Sequence, residues 1–373
     1  MMRIGSVALA SPFVVAPMAG MTDTAFRRLV KRKGGCGLVV TEMVSSEGLV
    51  RGIDRTLEYA EYTEEERPVS IQIFGGNPER MADAARIIEG MGANIVDVNM
   101  GCPVPKIAKH SAGCSLMREP SHAAGIIAAM VKAVNIPVTV KMRKGWDEAE
   151  TNAPEVARRV ADAGAAAITI HGRTAKQSYS GAADWEFVAR VANMIPVPVF
   201  GSGDCVEPEQ IVDRLRQGVS GVFVGRGVLR NPWILAQAQD IVAGLPPRPV
   251  SLVERGEFLL DYIALLEHER VHEEAGFRHF APGTEPALAR LSAPGASGGE
   301  SRGTRHDRWV INKLRALCSW YTKGLEGGSL LRTSVNGASS LAELRALIED
   351  FFLAPVGAHP HEIRAEDAIP VSR

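Results

Sequence analysis

The residue of this chain best placed to do chemistry is Cys102, in the run Asn99-Met100-Gly101-Cys102-Pro103. The Gly and Pro on either side put it on a loop, not inside a strand, where a thiol is accessible. Lys106 and Lys109 follow closely enough to tune its protonation. The other cysteines are Cys36, Cys114, Cys205 and Cys318. An odd set of five with no CxxC pair argues against a disulfide framework or a zinc site, so no metal is expected. Cys36, Cys205 and Cys318 read as small buried apolar side chains, whereas Cys114 stays open. Free thiols fit a reducing, cytoplasmic setting.

Two glycine-rich loops suggest a bound phosphate. Gly201-Ser202-Gly203-Asp204 and Gly225-Arg226-Gly227 each follow an apolar run and precede a helical stretch. Glycine lets the backbone approach a phosphate, helix N-termini offer free N–H groups, and Arg226 adds charge. Each loop alone could simply be a tight turn. Gln72, Lys141 and His171 end other apolar runs and could hydrogen-bond a flat heteroaromatic ring. A flavin asks for that combination, with Lys near N1 and the C2 oxygen and Gln at the pyrimidine edge. The competing reading of Lys141 is an ion pair with Glu42 inside a barrel.

Such residues need a scaffold, and short Val- and Ile-rich runs supply one at residues 14–16, 38–41, 69–73, 95–99, 138–141, 167–171, 199–201 and 221–225. Runs of this kind are buried on both faces by crossover helices, as in parallel sheets. Asp23, Asn77, Glu119-Pro120, Asn152, Asp184 and Glu207-Pro208 mark helix starts between them. The fold class is therefore α/β: a (β/α)₈ TIM barrel over residues 1–245, with functional groups at the C-terminal strand ends. Pro246, Pro247 and Pro249 make a stiff break. A smaller helical domain is expected over 250–350, with helices at 251–273 and 309–325. Residues 282–303 read as a mobile insertion and 356–373 as a flexible tail.

With 373 residues, 46% hydrophobic, 23% charged and a net charge of −1, the composition excludes disordered and fibrous classes. No signal peptide and no apolar run long enough for a membrane span is read. A near-neutral chain can hold a polyanion only through local clusters of Lys and Arg. Lys106, Lys109, Arg143, Lys144, Arg173 and Lys176 are expected in loops on the catalytic face. Residues 302–332 carry seven Lys or Arg against two acidic residues, Asp307 and Glu326. Solvated surface charge is the bland alternative.

Several motifs together resemble the tRNA-dihydrouridine synthases, most closely their bacterial B-type branch. They are Ala16-Pro17-Met18-Ala19-Gly20-Met21-Thr22-Asp23, Asp97-Val98-Asn99-Met100-Gly101-Cys102-Pro103, Val140-Lys141-Met142-Arg143, His171-Gly172-Arg173-Thr174, Asn231-Pro232-Trp233 and Trp320-Tyr321-Thr322-Lys323-Gly324-Leu325. The resemblance implies FMN held by Pro17, Met18, Ala19, Gln72, Lys141, His171, Ser202, Gly203, Asp204, Gly225 and Arg226. It implies NADPH as reductant, a hydride passed from flavin N5 to uracil C6, and Cys102 as the acid that protonates C5. The substrate it implies is a uridine of tRNA, in the D-loop, flipped into the barrel mouth. Asn99, Lys106, Arg143 and Arg173 are then substrate contacts, joined in the second domain by Lys313, Arg315 and Lys323. Two departures stand out: Ser202 replaces a common Asn, and Ala316-Leu317 replaces a basic pair.

Two rivals remain at this point. One is an FMN barrel oxidoreductase acting on a small molecule such as dihydroorotate. The other is a non-catalytic tRNA-binding protein. A monomer is expected.

Overall fold

The computed structural model describes residues 2–108, 111–271 and 302–354. Lys109, the tail 356–373 and all but the last two positions of 282–303 lie outside the described residues. The chain divides into two compact units between Arg248 and Pro249.

The first unit is a closed barrel of eight parallel strands: β1 (Phe13–Val15), β2 (Leu38–Val40), β3 (Val69–Phe74), β4 (Ile95–Met100), β5 (Val138–Arg143), β6 (Ala167–His171), β7 (Val199–Ser202) and β8 (Gly221–Val224). Each pairs with its sequence neighbours, and β8 returns to β1. A two-residue strand, Val44–Ser45, adds to the far end of β3. Helices follow the strands around the outside. Asp23, Asn77 and Asp184 cap Thr24–Lys33, Pro78–Gly90 and Trp185–Ala192, each accepting a backbone N–H at 2.9 Å. Asn152 precedes Ala153–Asp162 as expected but does not cap it, because its side chain donates to the Met117 carbonyl at 2.6 Å.

Register makes the barrel interior change character along its axis. Val14, Leu38, Ile95, Ala167, Phe200 and Phe223 form one apolar cluster with Ile4 and Leu9. Those last two belong to a hairpin, Met2–Ile4 against Val7–Leu9, that the sequence reading did not foresee. Its packing on the strand starts seals the N-terminal end. Further along, paired positions become polar. Gln72 pairs with Asp97 and Asp97 with Thr139; Asn99 pairs with Lys141; Arg143 pairs with His171, and His171 with Ser202. Paired residues of a parallel sheet share a face, so these side chains project inward together.

A buried ion pair braces the loop after β1. Arg27 Nε donates to Glu66 Oε2 at 2.5 Å, and the same guanidinium reaches the Thr22 and Glu61 carbonyls at 2.7 Å each. Thr24 Oγ1 and the Thr63 N–H also donate to Glu66, so the buried carboxylate is well solvated by the protein.

The second unit contains helices Leu252–Val271, Arg302–Tyr321, Gly328–Gly337 and Leu341–Phe352. Its core includes Phe258, Tyr262, Leu266, Leu314, Leu317, Tyr321, Leu344 and Phe352. The second helix begins earlier and stops earlier than 309–325, because Gly324 and Gly327 adopt positive φ and turn the chain toward the next helix. No helix among the described residues is long and apolar enough to cross a membrane.

Candidate active site

The cofactor and catalytic candidates of the barrel stand toward the C-terminal ends of the strands or in the loops beyond them. Pro17, Met18 and Ala19 follow β1, where the Met18 carbonyl accepts the Met21 and Thr22 N–H groups and the Gly20 N–H donates to Glu42 at 2.5 Å. This turn meets the β8 loop: a Cβ on Gly225 would lie 3.4 Å from Met18 Sδ.

Gln72, Asp97, Asn99 and Thr139 form one buried network. Gln72 Nε2 donates to Asp97 Oδ2 at 2.7 Å and Thr139 Oγ1 to Asp97 Oδ1 at 2.6 Å. Asn99 Nδ2 donates to Gln72 Oε1 at 2.8 Å. Asn99 Oδ1 accepts the backbone N–H groups of Gly101 and Cys102, at 3.1 and 2.9 Å. Through these bonds a carboxylate buried in β4 orients the amide that holds the cysteine loop. Burial pushes the Asp97 carboxyl up, opposed by Thr139, Gln72 and Lys141. Asp97 is absent from the sequence-derived site list, although its inward position, two residues before Asn99 in a strand of period two, is a readable signal.

Cys102 is half-buried. Burial raises its thiol above the usual range, while the Val104 N–H, Arg143 and Lys141 pull the other way. The cations acting on it are thus the strand residues Arg143 and Lys141; Lys106, expected to tune it, does not contribute. The Lys141 ammonium forms no hydrogen bond or ion pair with any described residue. Burial and then Arg143 bring its ammonium down to about 8, against Asp97 and Cys102. The acidic neighbour that matters is therefore Asp97; the alternative pairing with Glu42 does not form. His171 is pushed down to about 2 by burial and by Lys141, Arg143, Arg173 and Arg226, so it is neutral.

The β7 and β8 loops come together. A Cβ on Gly227 would run into the Cys205 carbonyl, and one on Gly203, at φ +127°, would lie 2.5 Å from Ala183 Cβ and 3.1 Å from the His171 ring. Only glycine allows both approaches. Asp204 accepts from Arg173 Nη2 at 2.7 Å and from Arg226 Nη2 at 3.4 Å, joining the two loops electrostatically. Ser202 is buried at the end of β7, with its carbonyl accepting the Gly172 N–H at 3.1 Å.

The residues 14–293 match the model of one family, described as dihydrouridine synthase (Dus). The chain is similar to a probable tRNA-dihydrouridine synthase of Rickettsia bellii, 34% identical over 95% of this chain and 99% of the relative. A tRNA-dihydrouridine synthase B of Xanthomonas campestris is 33% identical over 98% of this chain and 99% of its own length. A probable tRNA-dihydrouridine synthase of Rhodobacter capsulatus is 44% identical over 69% of this chain and 81% of its own. The chain belongs to the dihydrouridine synthase family. It is thereby a flavin-dependent oxidoreductase, and its unmet polar groups suit a flavin: His171 Nε2 and Arg173 Nη1 are buried without a partner among the described residues, beside the free ammonium of Lys141. A ring edged with acceptors and a phosphate tail would supply what these donors lack.

The cationic residues read as RNA contacts differ in burial and in the partners they hold. Arg143 is the last residue of β5 and not part of a loop. It is buried and donates to the Gly101, Thr174 and Ser178 carbonyls at 2.8, 2.9 and 3.0 Å. Arg173 is buried too, donating to the Ser180 and Gly181 carbonyls at 3.0 and 2.5 Å. Both tie loops together at the barrel mouth. Lys144 pairs with Glu148 and Asp184 and Lys176 with Asp147, which leaves Lys106 as the exposed cation without an ion pair among the described residues of this group. In the second unit Arg315 donates to the Ala338 carbonyl at 2.9 Å, holding the third helix. Lys313 and Lys323 lie over Trp309 and Trp320, with Nζ 5.6 and 3.8 Å from the ring centroids. Sequence reasoning also missed Tyr179, an exposed ring 4.6 Å from the Arg226 guanidinium carbon and 6.4 Å from His171.

Proposed function

We propose that this chain is a tRNA-dihydrouridine synthase that reduces the C5=C6 bond of a D-loop uridine, with FMN bound, NADPH as reductant and Cys102 as proton donor. The bound flavin would supply hydride to C6 of the pyrimidine. Cys102 delivers the proton to C5 on the other side of the double bond. The observation that carries this reading is the environment of that thiol. Burial keeps it protonated at neutral pH, while Arg143 and Lys141 favour the thiolate left after transfer.

The other residues bind and orient. Lys141, still largely protonated at neutral pH, offers positive charge to the pyrimidine end of the cofactor. Neutral His171 offers a ring nitrogen. Gly203, Asp204, Gly225 and Arg226 form the cradle we assign to the phosphate. Asn99 sets the position of Cys102. The target base must leave the tRNA stack to reach this depth. Lys106 and the cations of the second unit, Lys313 and Lys323, are the RNA-facing charges of this proposal. The free cysteines support a reducing cytoplasm, and we assign a monomer.

The test is direct. Unmodified tRNA, NADPH and the yellow protein are mixed anaerobically and dihydrouridine is measured by mass spectrometry. Formation of dihydrouridine is expected; its absence with a flavin-loaded protein overturns the proposal.

A further inference from the structure

A cavity of about 490 Å³ opens one residue beyond Cys102, lined by Pro103, Pro105, Ala108, Trp146, Ala175 and Lys176. These come from the loops after β4, β5 and β6, and the walls are mainly apolar. None of them is used by the chemistry above. The floor is firm: Ala175 N–H donates to the Gly145 carbonyl at 2.9 Å, Lys176 N–H to the Trp146 carbonyl at 3.0 Å, and Lys144 N–H to the Arg173 carbonyl at 3.1 Å. Trp146 is fixed further by its N–H to the Glu150 carbonyl at 3.0 Å and by Arg118, whose guanidinium carbon lies 5.2 Å from the ring. Its indole N–H has no acceptor among the described residues.

We propose that this cavity is a second base site, in which Trp146 stacks a nucleobase adjacent to the target uridine in the RNA strand; the inference rests on the functional reading above. An apolar slot walled by two prolines and an indole suits a flat ring, and the indole N–H gives it a polar handle. The volume lies in the range of small-molecule sites and exceeds what a solvent gap requires. Continuity decides which ring. Pro103 is bonded to Cys102, so a base here belongs to a nucleotide next to the one at the thiol. Lys106, exposed in the short helix Pro105–Ala108 that follows Pro103 and without an ion pair among the described residues, is the cation this proposal gives to the connecting phosphate. The shared chemistry, a nucleobase with a phosphate, also occurs in the dinucleotide reductant, and the experiment separates the two sources.

Flavin-loaded full-length protein is titrated against a labelled unmodified tRNA transcript by fluorescence anisotropy, as wild type, Trp146→Ala and Trp146→Phe. Loss of one stacked base is expected to weaken Trp146→Ala binding about tenfold, with Trp146→Phe close to wild type. Flavin reduction by NADPH, followed at the same time without RNA, is expected to be unchanged. Equal tRNA affinity of wild type and Trp146→Ala overturns the proposal. So does a raised KM for NADPH with unaltered tRNA affinity, which would give the cavity to the reductant. If Trp146→Ala loses flavin or thermal stability, Ala108→Phe fills the slot from its other wall: weakened tRNA binding supports the proposal and unchanged binding overturns it. Trp146-dependent tRNA binding by a wild type that forms no dihydrouridine would leave this site standing while removing the catalytic reading.

Discussion

The side-chain oxygen of Asn99 accepts the backbone N–H of Cys102 at 2.9 Å, so an inward residue near the end of β4 sets the height of the thiol above the barrel. The other half of that amide is committed to Gln72 at 2.8 Å. Asn99→Ala frees the loop without touching the thiol itself. Because a displacement of about 1 Å can cost on the order of 100-fold in rate, kcat is expected to fall by about that factor. Flavin affinity, read from the visible spectrum, should stay within about threefold of wild type, since the amide is taken up by protein groups. A rate loss caused by lost flavin would contradict the positioning role.

Cys102 acts as an acid only while protonated. Its pKa is raised by burial, so dihydrouridine formation is expected to hold through neutral pH and fall as pH rises through and beyond the usual thiol range near ~8.5. Cys102→Ala should reduce turnover by about 10²- to 10⁴-fold with the flavin spectrum intact. Single-turnover kinetics across pH checks both. An unchanged rate in Cys102→Ala would place the proton source elsewhere.

Lys141 carries charge below about 8 and loses it above. Flavin affinity of the apoprotein is therefore expected to weaken as pH rises through that value. Lys141→Gln should weaken binding at pH 7 by roughly tenfold, about the loss of one charge-assisted contact, and flatten the pH dependence. Fluorescence quenching of free FMN measures both variants. A wild-type affinity independent of pH from 7 to 9 would dissociate the ammonium from the cofactor.

Gly203→Ala tests the packing of the β7 loop. At φ +127° an alanine is strained, and its Cβ meets Ala183 and the His171 ring. Strain and overpacking together are expected to cost about 1–3 kcal/mol, lowering the melting temperature by several degrees, with flavin release from the displaced His171. Unaltered melting and full flavin content would show that the loop yields freely.

Removing one member of the Arg27–Glu66 pair leaves a buried charge alone. Arg27→Met is expected to destabilise the barrel by about 3–5 kcal/mol in urea unfolding, because Glu66 then lacks its counter-ion. A loss below about 1 kcal/mol would mean that Thr24 and Thr63 suffice to hold the carboxylate.

Much of this could be read from the chain alone, for a physical reason. Strands buried on both faces must be short and apolar, so all eight barrel strands were legible within about two residues, as were the caps at Asp23, Asn77 and Asp184. Barrel topology then puts polar strand ends at one mouth, which collected Gln72, Asn99, Lys141, His171, Asp204 and Arg226. What local sequence cannot specify is which partner a polar group finds across strands. Arg143 and Arg173 look like surface cations in a linear chain, yet they are buried clamps because carbonyls of the β6 loop fold over them. Asp97 gains its role only when register sets it beside Gln72 and Thr139. The short hairpin at residues 2–9 carries too little periodicity to announce that it seals the barrel floor. Residue type and period thus determined the scaffold and the mouth, while tertiary contacts decided charge pairing, burial and the protonation of Cys102, since these depend on distances that the linear order does not encode.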